Sequence, residues 1–321
     1  MKPKVRKLRL VQVGVGMMGS VWLSLIKNRK DLEIVGLADI DTVVIKRLKN
    51  EFKSSNVLFS KDFKKLISKL KPEFVLDVTP PKVRSKNLAF YLKNNINILS
   101  EKPLVANKKK LDEIVLSATA SKSKLMISQN YRWSTSSNYL KEIIKNSKYG
   151  KIKNINVTYS SNYKSTGWRS KTKDVFLLDM AVHHLDLIRY ITNKNFKSIS
   201  CDSGHITKVN GLLDENVNFE YSGTWKSKSN FTSRAGKWII RMEQATILWD
   251  GDYNITVISS NKNKNINIKP EVKDKLDISM DKYVNYINGT AQENINLEDN
   301  KHTLEAVFAY ILSNKSKKTI Y

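Results

Sequence analysis

Two stretches of this sequence carry side chains that could do chemistry together, and they lie far apart in the chain. One is the apolar run Leu177-Leu178-Asp179-Met180-Ala181-Val182-His183-His184-Leu185-Asp186. A histidine is a suitable general base near neutral pH. A carboxylate four residues before it on a helix shares its face and can orient the ring. By that spacing Asp179 serves His183, Asp186 is also within reach, and His184 is turned about 140° away from Asp179 at 3.6 residues per turn. The same pattern equally suits a structural Asp–His pair. The other stretch is Glu101-Lys102-Pro103, which follows an apolar run ending at Leu99. A lysine just past the carboxyl end of a strand can hydrogen-bond a substrate oxygen and favour its alkoxide form. Among so many lysines, position alone leaves that role open. Arginines also adjoin aromatics in Tyr131-Arg132-Trp133 and Gly167-Trp168-Arg169. There they suit an anionic or polyhydroxyl ligand, or, for Arg132, packing between domains.

What such groups would work with is written near the start. The apolar run Leu8 to Val13 feeds Gly14-Val15-Gly16-Met17-Met18-Gly19, and an apolar helical pattern follows. A strand, a Gly-x-Gly-x-x-Gly turn and a helix make a dinucleotide site. Gly14 permits the tight turn, Gly16 lets backbone approach a pyrophosphate, and Gly19 lets helix and strand pack closely. Asp39 stands 20 residues beyond Gly19, at the end of the second apolar run. There it can accept hydrogen bonds from ribose hydroxyls and would repel a 2′-phosphate. No arginine follows it directly, which favours NAD over NADP. Asp39 or Asp41 could also cap the helix that starts at Thr42. Thr79 and Pro80, in Val78-Thr79-Pro80-Pro81, close another strand at the edge where open α/β sheets bind ligands.

The elements that must position these residues fall into two patterns. From residue 7 to about 128, short apolar runs alternate with amphipathic ones: strands over 8–13, 32–38, 57–59, 74–78, 96–99 and 125–128, and helices over 17–27, 42–52, 63–70, 83–93 and 111–120. That alternation predicts an α/β domain, a doubly wound Rossmann-type parallel sheet over residues 1–128. From 129 to 321 the chain reads as a second, α+β domain. Helices are expected over 136–144, 175–191, 279–287 and 304–312, and a half-exposed strand over 151–159. Runs of period near two over 198–206, 217–225, 238–242, 246–249 and 255–258 predict a mainly antiparallel sheet with one face open. The lysine- and asparagine-rich segment 261–267 is expected to be a loop.

The bulk numbers narrow the classes. At 321 residues and 40% hydrophobic composition the chain can bury two ordinary cores. One cysteine, Cys201, excludes an internal disulfide framework and fits a reducing, cytoplasmic setting. The four histidines lack zinc-ligand spacing, and no metal is expected. No run reaches the roughly 18 apolar residues of a membrane span. The basic stretch from Met1 to Arg9 has no apolar core or cleavage site and does not read as a signal peptide. The net charge of +26 comes from lysines scattered along the whole chain. With lysine, asparagine and isoleucine all over-used, drift towards A/T-rich codons explains it better than a nucleic-acid or membrane partner. Steering of an anionic substrate is the second reading.

Taken together, Gly14-Val15-Gly16-Met17-Met18-Gly19, Ala38-Asp39, Val78-Thr79-Pro80-Pro81, Glu101-Lys102-Pro103, Gln129-Asn130-Tyr131-Arg132, Trp168-Arg169 and the run Leu177 to Asp186 resemble the glucose–fructose oxidoreductase / inositol dehydrogenase / MocA (Gfo/Idh/MocA) family, in the family's order. The resemblance implies hydride transfer between NAD(P) and a secondary alcohol or ketone of a sugar, nucleotide-sugar or cyclitol. It implies catalytic roles for Lys102, Asp179 and His183, with Glu101 and Lys102 beside the cofactor. Arg132, Trp168, Arg169, Lys102 and His183 would meet a polyhydroxyl substrate. The open sheet would join copies into a homodimer or homotetramer. Two departures reshape the pocket. Lys173-Asp174-Val175-Phe176 stands where many relatives have a Gly-Gly pair, and Ala181 where they have glycine. The competing reading from another class is a non-catalytic dinucleotide sensor or scaffold.

Overall fold

The computed structural model describes residues 6–146, 148–260, 263–290 and 296–321. The expectations for Met1 to Val5 and for Asn261 and Lys262 lie outside the described residues. Contacts divide the chain into two compact units, Met1–Ser128 with Leu276–Asp299, and Gln129–Lys275 with Asn300–Tyr321.

The first unit follows the alternation closely. Its strands are β1 Leu8–Val13, β2 Leu32–Ala38, β3 Leu58–Ser60, β4 Phe74–Asp77, β5 Asn97–Ser100 and β6 Leu125–Ile127. Its helices are α1 Met17–Ile26, α2 Thr42–Glu51, α3 Phe63–Leu70, α4 Pro81–Lys93 and α5 Lys108–Thr119. All six strands are parallel, in the order β3-β2-β1-β4-β5-β6. The central strands are buried along most of their length, β4 throughout and β1 and β5 nearly so, which is why they read as unbroken apolar runs. The order reverses between β1 and β4, where Val13 pairs with Asp77. Ligands bind beyond the carboxyl ends of strands at such a switch point.

The second unit holds α6 Thr135–Lys145, β7 Ile152–Ser160, α7 Val182–Thr192, β8 Phe196–Ser203, β9 Thr207–Leu213, β10 Val217–Thr224, β11 Lys237–Met242, β12 Ala245–Trp249, β13 Asn254–Ser259 and β14 Asn263–Asn267. These strands form one sheet in the order β14-β13-β12-β11-β7-β10-β9-β8, antiparallel except between β7 and β10. Alternation sorts its faces. Ile155, Val157, Phe219, Tyr221, Trp238, Ile240, Ile247 and Trp249 point into the core, and the buried α7 lies among their neighbours. Asn156, Glu220, Ile239 and Leu248 sit in one cross-strand row on the other side.

Two expectations are corrected in this sheet. Residues 263–267 form strand β14 rather than a loop. Its backbone pairs with β13 at the sheet edge, and its Asn and Lys side chains suit an edge that must not recruit another strand. The run expected over 198–206 is β8 ending at Ser203, and β9 follows as a separate strand.

Two helices close the chain, α8 Lys275–Asn288 and α9 Leu297–Ser316. The sequence reading placed α8 in a second domain, whereas Leu276–Asp299 clusters with the first unit. There Tyr283 packs edge-on against Phe74, and Arg29 bonds Asp31, Asp277 and Asp281. Lys124 donates to the carbonyls of Tyr286 and Ile287 in the last turn of α8. Among the described residues no helix is long and apolar enough to cross a membrane.

Candidate functional site

The first unit builds a cradle at its switch point. Gly14 has φ +90°, a conformation that side chains with a Cβ rarely adopt. A Cβ at Gly19 would stand 2.2 Å from the Gly14 carbonyl oxygen, so only glycine allows α1 to start this close to β1. A Cβ at Gly16 meets nothing within 4 Å, which leaves room for a ligand. Gly16 precedes α1, and no side chain caps that helix start, so its N-terminal N–H groups suit an anion. Met17, exposed, and Met18 form the first turn of the helix.

Asp39 closes the cradle from the end of β2. Its carboxylate accepts the Val15 N–H at 2.7 Å and the Asp41 N–H at 3.0 Å. The cap of α2 is Asp41, through the Val43 N–H, so the two aspartates divide the roles that the sequence left open. Gln12 was not singled out from sequence, yet its buried amide nitrogen donates to the carbonyls of Gly14 at 3.1 Å and Gly19 at 2.7 Å. Arg47, also unanticipated, reaches from α2 to the Val15 carbonyl and to Ser20 Oγ. These residues fit a dinucleotide on the structure's own terms: a left-handed glycine, a packed glycine, an open glycine and a carboxylate at the strand end.

The loops after β4 and β5 share a buried scaffold. Thr79 donates its N–H and its hydroxyl to Asp77, while Asn87 and Tyr91 bond the other carboxylate oxygen. Arg84 is almost wholly buried and donates to three backbone carbonyls, those of Thr79, Glu101 and Pro103 at 2.6 Å. It therefore ties the Thr79-Pro80 loop to the loop that carries Lys102. Glu101, expected beside the cofactor, is instead buried under its own loop. It accepts Trp22 Nε1 at 2.8 Å and the Lys102 N–H at 3.0 Å, so it holds the loop rather than facing a ligand. The half-buried Lys102 lies between the two clamped carbonyls.

The second unit carries the other candidates. A π-helical turn, Leu177–Ala181, runs into α7. Bonding from i to i+5 under-winds the turn at Asp179, so the four-residue spacing no longer fixes how it faces His183. The Asp179 carboxylate is held by Arg169, at 2.6 Å to Nε and 3.1 Å to Nη2. Arg169 in turn lies 4.9 Å from the centre of the half-buried Trp168 ring. The buried ring of His183 stacks on Tyr131, 4.2 Å between centres and 8° from parallel. Burial pushes the Tyr131 hydroxyl above its ordinary range, so it stays protonated.

Arg132 is corrected by the structure. It was expected to meet substrate, but it is 2% exposed and bonds Asp186 through Nε and Nη2, both at 2.6 Å. Asp186 also accepts from Thr303 and is thereby committed to this pair rather than to His183. Phe176, in the stretch that departs from the glycine pair of many relatives, packs edge-on against Trp225, and a Cβ on Gly223 would stand 2.5 Å from its ring.

His184 is a core residue. Its Nδ1 is 3.0 Å from the Tyr221 hydroxyl and its Nε2 is 2.9 Å from the Arg234 carbonyl. A carbonyl only accepts, so Nε2 carries the proton and Nδ1 accepts from Tyr221. Burial depresses its pKa from 6.5 to about 4. Folding therefore requires the neutral ring: its stability is fully present above pH 6.5 and is lost as pH falls towards 4. Between pH 7 and pH 5 that amounts to about 2 kcal/mol. Urea unfolding at the two pH values should show a steeper loss for the native chain than for His184→Gln. Equal slopes would remove this residue from the acid response.

Comparison with known proteins places both units. The family model "Oxidoreductase family, NAD-binding Rossmann fold" matches residues 8–129, and "GFO/IDH/MocA C-terminal domain" matches residues 138–235. Among solved structures, an oxidoreductase from Agrobacterium radiobacter in complex with NAD+, L-tartaric acid and magnesium aligns with TM-score 0.86 at 15% identity, over 98% of both chains. Aldose-aldose oxidoreductase from Caulobacter crescentus, complexed with glycerol, aligns with TM-score 0.84 at 12% identity, over 98% of this chain and 99% of that one. Myo-inositol 2-dehydrogenase from Lactobacillus plantarum aligns with TM-score 0.82 at 15% identity, over 98% and 99%. These likenesses concern the fold. In sequence, YteT of Bacillus subtilis (strain 168) is 23% identical over 230 residues, 67% of this chain. The match takes in 53% of YteT, so the chain spans about half the length of that curated relative.

Proposed function

Since the chain belongs to the Gfo/Idh/MocA family of NAD-binding oxidoreductases, we propose that it moves hydride between a nicotinamide dinucleotide and a secondary alcohol or ketone of a sugar, nucleotide-sugar or cyclitol. The observation that carries this reading is the cradle at the switch point, with Gly14 at φ +90°, open space over Gly16 and the Asp39 carboxylate anchored on the Val15 N–H. Gly14 to Gly19 would hold the pyrophosphate at the start of α1, and Asp39 the adenosine ribose, which favours NAD. Thr79 and Pro80 would line the same edge of the sheet. When bound, the nicotinamide ring supplies the two-electron redox chemistry.

The chain's own residues handle the proton and the charge. Lys102 donates a hydrogen bond to the reacting oxygen and stabilises its anionic form. His183 takes the hydroxyl proton in oxidation and returns it in reduction. Asp179, fixed by Arg169, would hold the His183 imidazole in place, and Trp168 offers an apolar face for a sugar ring.

The test is to incubate the purified protein with NAD and with NADP against a panel of sugars, nucleotide-sugars and cyclitols, and to follow nicotinamide absorbance. At least one polyol is expected to change it. NADH binding without turnover on any of them would favour the sensor reading instead.

A further inference from the structure

Asp39 and Arg47 hold a single residue of the glycine turn from two sides. Asp39 accepts the Val15 N–H at 2.7 Å, and Arg47 Nη2 donates to the Val15 carbonyl at 3.3 Å and to Ser20 Oγ at 3.2 Å. An acid at the end of β2 disfavours a dinucleotide with a 2′-phosphate on its adenosine ribose. The structure supplies the missing counter-charge from a place that the sequence order hides. Arg47 lies eight residues beyond Asp39, in the second turn of α2, and its side chain returns to the same loop.

Three observations fit Arg47 to a phosphate. It is exposed, and no carboxylate stands within ion-pair distance of it among the described residues. Its two hydrogen bonds go to uncharged oxygens and are long for N–H···O bonds, so exchanging them for phosphate oxygens gains charge-assisted bonds at small loss. The neighbouring acids are already engaged: Asp39 accepts from Val15 and Asp41, and the Asp41 side chain caps α2, whose N-terminal dipole offsets its charge.

We propose that Arg47 forms a subsite for the adenosine 2′-phosphate, so that the cradle takes NADP as well as NAD. This rests on the dinucleotide reading above. Arg47 acts on the choice of cofactor and not on the chemistry at the reacting carbon.

The test is equilibrium titration of the full chain with NADH and with NADPH, followed by dinucleotide fluorescence at 0.15 M salt. The native protein is expected to bind NADPH within about tenfold of NADH, the discrimination that one compensated charge leaves. Arg47→Gln removes the charge and keeps a polar side chain. It should weaken NADPH at least about tenfold and NADH less than about twofold, and Arg47→Lys should recover part of the NADPH affinity. NADH binding with no NADPH binding overturns the subsite and leaves the dinucleotide reading standing. Equal weakening of both by Arg47→Gln also overturns it, because Arg47 would then only brace the loop. Failure of both dinucleotides to bind the native protein removes the dinucleotide reading and this inference with it.

Discussion

Replacing Lys102 by methionine should lower turnover at least about 100-fold while NADH binding stays within about twofold. The size is typical for loss of a positioned oxyanion or acid–base group. The selectivity follows from how the loop is built. Its backbone is held by Arg84 on the Glu101 and Pro103 carbonyls and by Glu101 on the Lys102 N–H, while Trp22 anchors the Glu101 carboxylate. Methionine removes the ammonium and breaks none of these bonds, which hold the loop through its backbone and the Glu101 carboxylate. The measurement is kcat on the best polyol from the panel, beside an NADH titration. A variant within threefold of the native rate would take Lys102 out of the chemistry. Combining it with His183→Asn asks a further question. If both residues serve one substrate oxygen, the double variant should lose far less than the product of the two single losses.

Removing the Asp186 charge should cost the second unit about 3–5 kcal/mol. Asp186→Asn leaves the Arg132 guanidinium in the core without the carboxylate that now meets it at two 2.6 Å bonds. Water cannot compensate, since both side chains are 2% exposed. Against a typical folding stability of about 5–15 kcal/mol, that loss is large. Arg132→Met alone should be similarly damaging, because it strands the carboxylate. Arg132→Met combined with Asp186→Leu should be milder than either, because an apolar pair pays no desolvation. Urea unfolding of the four proteins measures this. Additive losses in the double variant would mean that the two residues act separately.

Much of the first unit could be read from the sequence because its physics is local. A strand buried on both faces is a short apolar run, and its helix start is marked by a capping residue such as Asp41 or Asp62. The bounds expected for β1, β2 and α3 coincide with those observed. In the second unit, β14 was read as a loop because edge pairing needs only backbone, and its Asn and Lys side chains carry no apolar signal. β9 escapes a sequence reading because, from Thr207 to Gly211, Val209 is the one apolar side chain on its inward positions. The π-helical turn was invisible because Leu177 to Asp186 has ordinary helical periodicity.

The site divides in the same way. Gly14, Gly16, Gly19 and Asp39 are legible because each answers a fixed need of a strand–turn–helix. Gln12, Arg47 and Arg84 are not, because most of their partners are backbone carbonyls 2 to 32 positions away, and a carbonyl leaves no trace in sequence. Arg132 misled for the opposite reason. An arginine beside aromatics has the same signature whether it waits for a ligand or is committed to Asp186.

The return of Leu276–Asp299 to the first unit has a consequence for how the molecule is made. Translation delivers Phe74 about 210 residues before its partner Tyr283, and Arg29 about 250 residues before Asp277 and Asp281. The dinucleotide half therefore cannot be completed when its own sheet has been synthesised. It stays open while almost the whole of the second unit emerges, and closing it needs contacts of high sequence separation, which form slowly. A gene cut after Ser128 would release the sheet without α8, and so without Tyr283, Asp277 and Asp281, the partners of Phe74 and Arg29.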